Sequence, residues 1–484
     1  MKKPKKINLL FALLISLVCQ PVFAQQWIKS MPGYARYNEV APKIRNSVKS
    51  GSLSVKWADD GKSFEYNHNR KKYRFDIRKK KVTELGEAEK EISPYERYRR
   101  MRGPARGRQY DFADSPDGNW KAVYRNCNVY LQNMKSGEEI PVTTEGNQEK
   151  RLKFGEATWV YGEELYQRTA MWWSPDSRKL AFYRFNLSKV KNYYLQYDQT
   201  KIYDSMNIEA FTKVGAVNPV VGLIIYDVDS KKTVKVDVRD GKPFENDVVG
   251  QYVYGIEWSP DGTELLFHRT NRKQDIMEWT AANPETGKCR VIVHEEWPAS
   301  FTENTPEMRF LKDGKRFVWE SERNGFKNYY LYDLKKGLMN PITSHKFEVA
   351  GIKKIDEDAG VLYYMARSGN NFMKLQLHRV RLDGTKDEQL TNPYFNHRIQ
   401  ISPDGKYFVD VAQTHDTPPF TQLVNAKGKV VAKLAESDLT EYEQLGLKKV
   451  EMFTFTSADG KTILNGMLHF PSNFDPNKKY PLLL

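Results

Sequence analysis

A short turn, repeated with small variations, narrows most what this chain can become. Ser115-Pro116-Asp117-Gly118, Ser174-Pro175-Asp176-Ser177, Ser259-Pro260-Asp261-Gly262 and Ser402-Pro403-Asp404-Gly405 are its clearest copies. Trp57-Ala58-Asp59-Asp60-Gly61, Leu311-Lys312-Asp313-Gly314 and the weaker Asp356-Glu357-Asp358-Ala359-Gly360 continue the series. Pro presets φ at the first central position, Asp bonds back to the backbone, and Gly accepts a positive φ. Aromatic or β-branched strands flank most copies, as in Lys315-Arg316-Phe317-Val318-Trp319, and a later strand often ends in Tyr-Asp, as at Tyr332-Asp333 and Tyr226-Asp227. Successive turns stand roughly 45 to 60 residues apart, close to the length of one four-stranded propeller blade. The expected fold is therefore all-β: a β-propeller of seven blades, or of eight if the first and last segments share one. The longer step from Ser174 to Ser259 holds a Tyr-rich polar stretch, Lys189 to Val217, expected as a loop outside the blade pattern.

Composition supports a turn-rich β chain, with 13% aromatic residues, 30 Gly and 23 Pro among 484. The first 24 residues read as a cleaved signal peptide. Lys2, Lys3, Lys5 and Lys6 precede an apolar run too short to span a bilayer, and Val22-Phe23-Ala24 forms a small-residue cleavage site. The address expected is periplasmic or secreted, with no membrane span after cleavage. Cys127 and Cys289 then remain, read as two unpaired thiols. The formal charge of +15 includes the four leader lysines. No basic helix with groove-reading residues accompanies it, so nucleic acid is not an expected partner. The basic run from Arg70 to Lys81 reads as a solvated hairpin face.

One short stretch departs from the repeat. In Trp159-Val160-Tyr161-Gly162-Glu163-Glu164-Leu165-Tyr166, two adjacent carboxylates sit between aromatic residues, just before Met171-Trp172-Trp173-Ser174-Pro175-Asp176. Trp172 to Phe185 reads as one hairpin, so a repeating β unit carries an acidic insertion near 159–170. From about 447 the character changes. Val450–Phe455 and Ile463–Phe470 read as a hairpin, and Leu482-Leu483-Leu484 as the opening of a buried strand, cut off inside a second domain.

These features together resemble the dipeptidyl peptidase IV branch of the prolyl oligopeptidase family of serine peptidases. The resemblance rests on Trp159 to Glu164, Trp172 to Asp176, Ala181-Phe182-Tyr183-Arg184-Phe185-Asn186 and Gly215-Ala216-Val217-Asn218-Pro219, with Tyr480-Pro481 matching the entry to a hydrolase sheet. Gly162 stands where some relatives carry a third Glu, and Phe211-Thr212-Lys213-Val214-Gly215 replaces a commoner Tyr-Pro-Lys-Ala-Gly. The resemblance implies a propeller over 25–446, then the start of an α/β-hydrolase domain over 447–484.

It also implies function. Glu163 and Glu164 would lie on a short helix and hold the free α-ammonium of a peptide, since an ammonium has three donors and two carboxylates can accept together. An Arg would donate to the substrate's backbone carbonyl; Arg106 and Arg108 are the candidates. Phe301 would line the second subsite. The expected activity is that of an exported exopeptidase removing N-terminal dipeptides after Pro or Ala, with homodimers formed by the full-length protein. The hydrolytic step needs Ser on a Gly-x-Ser-x-Gly elbow, then Asp and His. No such elbow occurs here, so no residue of this chain is read as catalytic. The alternative is a non-enzymatic propeller that binds peptides or proteins. The eight His show no HExxH and no close pairing, and neither a metal nor a cofactor is expected.

Overall fold

The computed structural model describes residues 27–31, 33–89 and 103–483. The leader read at 1–24 lies outside them. The chain forms two compact units. One takes in the chain up to Glu89 with Ser368–Leu377 and Leu390–Leu484; the other takes in Lys90–Arg367 with His378–Gln389.

The repeat becomes a series of antiparallel sheets. Among the described residues, seven sheets cover 55–87, 112–141, 152–236, 252–296, 308–341, 349–389 and 396–435. Six have four strands in simple meander order. The sheet over 152–236 has a fifth strand, Leu152–Phe154, paired to Lys179–Asn186. Two lone hairpins complete the set, Asn192–Tyr197 with Ser205–Ala210, and Glu451–Thr456 with Ile463–Leu468.

Each turn is closed by its own side chains. Ser115 Oγ donates to Asp117 Oδ1 at 2.6 Å and accepts the Trp120 N–H at 2.9 Å, while the Gly118 N–H reaches Ser115 O at 2.9 Å. The bonds recur around Ser259, Asp261 and Glu264, and around Ser402, Asp404 and Tyr407. The fourth turn position lies in the left-handed region, where Gly is free of the Cβ clash. Ser177 occupies it at φ 61° and puts its hydroxyl to use, accepting the Asp117 N–H of the preceding turn at 3.0 Å.

Turn tips of successive sheets touch. Pro175 stands against Gly262, Pro260 against Gly314, and Glu357 accepts the Lys312 N–H at 2.8 and 2.9 Å. In the other unit Gly61 meets Asp404. The tryptophan ahead of a turn adds a second link between sheets. Trp173 Nε1 donates to Ala113 O at 3.0 Å, and Trp258 Nε1 to Trp172 O at 3.1 Å.

The core is divided in the same way. Apolar clusters lie between successive sheets, and the sheets over 152–236, 252–296 and 308–341 have such a layer on both faces. Leu266, Trp279 and Phe317 with Trp319 fill one such layer, and Val318, Tyr329, Leu362 and Tyr364 fill the next. Phe64, Phe75, Val409 and Leu423 form the layer of the other unit.

Two expectations change. The 189–217 stretch lies outside the sheet, as expected, but as a hairpin rather than a loop. Its Tyr-rich strands pair from Asn192↔Ala210 to Tyr197↔Ser205, and Asp198 turns the chain at φ 62°. Leu482 and Leu483 form no buried strand; they are exposed, with no adjoining strand among the described residues to pair with. Cys127 and Cys289 are free thiols.

Candidate functional site

The acidic insertion is a short helix, Trp159–Glu163, with Glu164 as its C-cap. One residue anchors it. Tyr161 is buried, packs edge-on against Phe185 at 4.8 Å and Tyr183 at 5.6 Å, and accepts the Val253 N–H on its hydroxyl at 3.1 Å. With Tyr161 held in the core, the helix carries Glu163 half-buried and Glu164 exposed.

A loop over 105–109 lies against this helix, and glycine makes the approach possible. A Cβ on Gly162 would lie 2.5 Å from the carbonyl carbon and oxygen of Gly107, and a Cβ on Gly107 would lie 2.2 Å from the Trp159 ring nitrogen. Gly162, the departure from relatives noted above, thus has a packing cause. Gln109 fastens the loop, accepting the Ala157 N–H at 3.2 Å and donating to Gln167 O at 3.2 Å.

The approach delivers Arg106 to Glu163, which it bonds through Nε and Nη2. Hydrogen bonding to this guanidinium holds the Glu163 carboxyl below its usual range. The Arg106 guanidinium also stands 6.0 Å from the centre of the Trp159 ring. Arg108 turns the other way and forks onto Glu209 of the inserted hairpin, at 2.5 and 3.3 Å. Burial disfavours its charge, yet the Glu209 carboxylate raises its pKa above the ordinary arginine value.

Between loop, helix and hairpin lies a cavity of about 450 Å³, lined by Arg106, Arg108, Trp159, Tyr193, Tyr197 and Phe211 among others. It combines aromatic walls with two cations and the Glu209 carboxylate, the make-up of a site for a peptide-sized ligand with a polar backbone and apolar side chains.

The structure therefore gathers Glu163, Glu164, Arg106 and Arg108 into one neighbourhood. Phe301 does not line the cavity; it is 66% exposed in the segment after strand Cys289–Glu296. The arginines from Arg97 to Arg102, upstream of these two candidates, lie outside the described residues. Sequence reading missed Glu209, Tyr193 and Phe211, whose only signal was the Tyr-rich character of the insertion. It also missed a pairing of histidines: His345 and His378 come together with Asp387, because the fold joins positions whose spacing in the chain gave no sign of it.

Sheets stacked through shared aromatic layers, with a charged helix and hairpin set into one of them, define a β-repeat protein with an insertion in its repeat. The chain belongs to the dipeptidyl peptidase IV N-terminal region family, whose model matches residues 54–419. It is 27% identical over 387 residues to the dipeptidyl peptidase 4 of Trichophyton rubrum, covering 76% of this chain and 48% of that one. The dipeptidyl peptidase 4 of Trichophyton equinum matches equally, at 27% over 76% of this chain and 48% of its own. The chain thus spans about half the length of the curated relatives it matches. Among solved structures, the Porphyromonas gingivalis dipeptidyl peptidase 4 superposes with a TM-score of 0.63 at 20% identity, over 92% of this chain and 68% of that one. At that identity the likeness speaks for the fold alone.

Proposed function

We propose that this chain is the substrate-holding part of an exported serine-type dipeptidyl peptidase. In this reading residues 25–446 form a propeller of seven or eight blades, and 447–484 begin the α/β-hydrolase domain. Turn tips that touch from sheet to sheet, and apolar layers shared by successive sheets, support the propeller. The leader at 1–24 directs the protein to the periplasm or beyond. The Ser, Asp and His of hydrolysis are not among these residues.

One observation carries the reading: Glu163 and Glu164 end a short helix beside Arg106, at the edge of a cavity with aromatic walls. An incoming α-ammonium takes the place of Arg106 on Glu163 and uses exposed Glu164 as its second acceptor. Arg106, released, donates to the carbonyl of the first peptide unit. Two charge-assisted bonds of about 1.5–3 kcal/mol each favour a free amine over a blocked one by roughly 10² to 10⁴. Fixing the amine counts residues from the N-terminus, which is how such a site yields dipeptides. Trp159, Tyr193 and Phe211 line the cavity and suit an apolar substrate side chain better than exposed Phe301 does.

Calorimetric titration with Ala-Pro-Ala and its N-acetyl form tests the anchor. The free peptide should bind and the blocked one should not, and Glu163→Gln with Glu164→Gln should abolish the difference. Equal binding of the two peptides to the unaltered protein sinks the proposal. Hydrolysis of a Gly-Pro chromogenic amide by the product of the complete reading frame tests the activity.

A further inference from the structure

Three groups with no part in the site above converge elsewhere in the same unit. His345 lies in the connection after strand Gly337–Pro341, His378 on strand Gln376–Arg381, and Asp387 just before strand Glu388–Gln389. Their ligand atoms all lie within 4.8 Å of one another. His345 Nε2 is 2.9 Å from Asp387 Oδ2, and His378 Nδ1 is 3.1 Å from Asp387 Oδ1, so each imidazole faces its own carboxylate oxygen. Tyr364, on strand Val361–Ala366, donates to Asp387 Oδ2 at 2.6 Å and stands 2.8 Å from His345 Nε2.

We propose that His345, His378 and Asp387 bind a divalent first-row transition-metal ion of the imidazole-preferring kind typified by Zn²⁺. Two imidazole nitrogens and one carboxylate are a donor set that suits such ions, whereas magnesium and calcium prefer oxygen alone. Ligands at about 2.1 Å from a zinc ion lie roughly 3.0–3.4 Å apart for angles between 90° and tetrahedral. The His378–Asp387 distance of 3.1 Å already lies in that range, and the His345–Asp387 distance of 2.9 Å needs to open only slightly.

Proton counting favours a cation too. His345 Nε2, Tyr364 Oη and Asp387 Oδ2 form a triangle of three short edges, yet a neutral imidazole and a phenol bring only two hydrogens. A metal ion takes the nitrogen and carboxylate lone pairs and leaves Tyr364 as an outer donor, the arrangement that holds ligating carboxylates in place. The rings are pre-set: His345 stacks on Phe347 at 4.2 Å, and its side chain is 17% exposed, that of His378 7%. Asp387, at 24%, is the side from which an ion can arrive. Bound there, it ties the connection after one sheet to the strands of the next, so the expected role is a structural clip.

The test uses untagged protein stripped with EDTA. Titration with Co²⁺ should give a saturable visible absorption at one equivalent per chain, displaced by Zn²⁺, and saturating Zn²⁺ should raise the unfolding midpoint by about 3 °C. His378→Gln and Asp387→Asn should each weaken binding at least tenfold, and Tyr364→Phe about tenfold as an outer-shell change. X-ray absorption of the Zn²⁺-loaded unaltered protein should report two imidazoles, a readout that stands even if a variant fails to fold. Absence of saturable binding, a zinc environment without imidazole pairs, or unchanged affinity in Asp387→Asn would overturn the proposal and leave the cluster a hydrogen-bonded clip.

Discussion

The sheets over 308–341 and 152–236 are built on one plan and used differently. In the first, four strands follow one another through short turns, and one buried amide gathers the polar groups of a flanking turn. Asn328, fully buried, donates to Phe326 O and His345 O and accepts from Thr343 Oγ1 and the His345 N–H. In the second, the meander is interrupted twice, by the helix Trp159–Glu163 and by the hairpin of 192–210. Its central strands nevertheless pair without a break from Lys179↔Asp227 to Asn186↔Val220. Both faces of those strands are buried, and a one-residue slip would reverse every side chain, so register holds whatever is inserted between them. The contrast teaches that the repeat is the scaffold, while the interruption carries the candidate site. One region is closed upon itself, while the other ends in exposed aromatics, ion pairs and a cavity.

The largest expected effect breaks the closed region. Asn328→Ala removes a hub of hydrogen bonds and strands the buried Thr343 hydroxyl and His345 backbone groups, and should lower unfolding stability by about 2–3 kcal/mol in urea titrations. The same device recurs fifteen residues apart in two other sheets, where Thr143 Oγ1 donates to Asn128 and Thr391 Oγ1 to Gln376. A loss below about 0.5 kcal/mol would mean the repeat does not depend on this clip.

That clip also marks the limit of sequence reading. The Ser-Pro-Asp-Gly turns and the aromatics ahead of them were legible because both act locally: the turn closes on its own side chains, and alternation fixes a strand. Glu163 and Glu164 stood out because an adjacent pair of carboxylates between aromatics interrupts the β repeat, and the resemblance gave the pair its expected role. The Asn-Thr clips were not, since Asn followed by Thr fifteen residues later looks like any polar pair until a hairpin folds them together. Glu209 and the His345–His378–Asp387 cluster failed for the same reason. The Lys189–Val217 hairpin looked like a loop because its strands pair only with each other, with no core face to impose an apolar alternation.

A second prediction probes the join between scaffold and site. In Gly162→Ala the new methyl meets the Gly107 carbonyl at 2.5 Å, and backbone cannot rotate aside as a side chain would. Overpacking of this kind costs about 1–3 kcal/mol. The larger consequence is local: the loop retreats, Arg106 leaves Glu163, and affinity for Ala-Pro-Ala should change while the Asn328 clip is untouched. Unaltered peptide affinity would separate the loop from the function proposed.

The scaffold also carries a pH dependence of its own. Glu257, on strand Tyr252–Trp258, is pushed up to about 7 from 4.5 by burial alone. Its folded pKa lies above the unfolded one, so its contribution is fully present below about pH 4.5 and is lost as pH rises through about 7. Glu257→Gln should therefore leave stability unchanged near pH 4 and raise it by about 1–2 kcal/mol near pH 8. Equal gains at both pH values would mean the group titrates normally.

The smallest expected effect lies at the far end of the comparison. Ile202 and Tyr203, at the tip of the inserted hairpin, are 94% and 86% exposed, so neither adds to the core. Replacing both with Ser should shift stability by no more than about 0.5 kcal/mol. If the hairpin only frames the cavity, peptide affinity should also hold, because the lining residues Tyr193, Tyr197 and Glu209 lie on its strands rather than its tip. A fall in stability equal to that of Asn328→Ala would erase the distinction between the two regions, since it would mean the interruption is itself part of the scaffold.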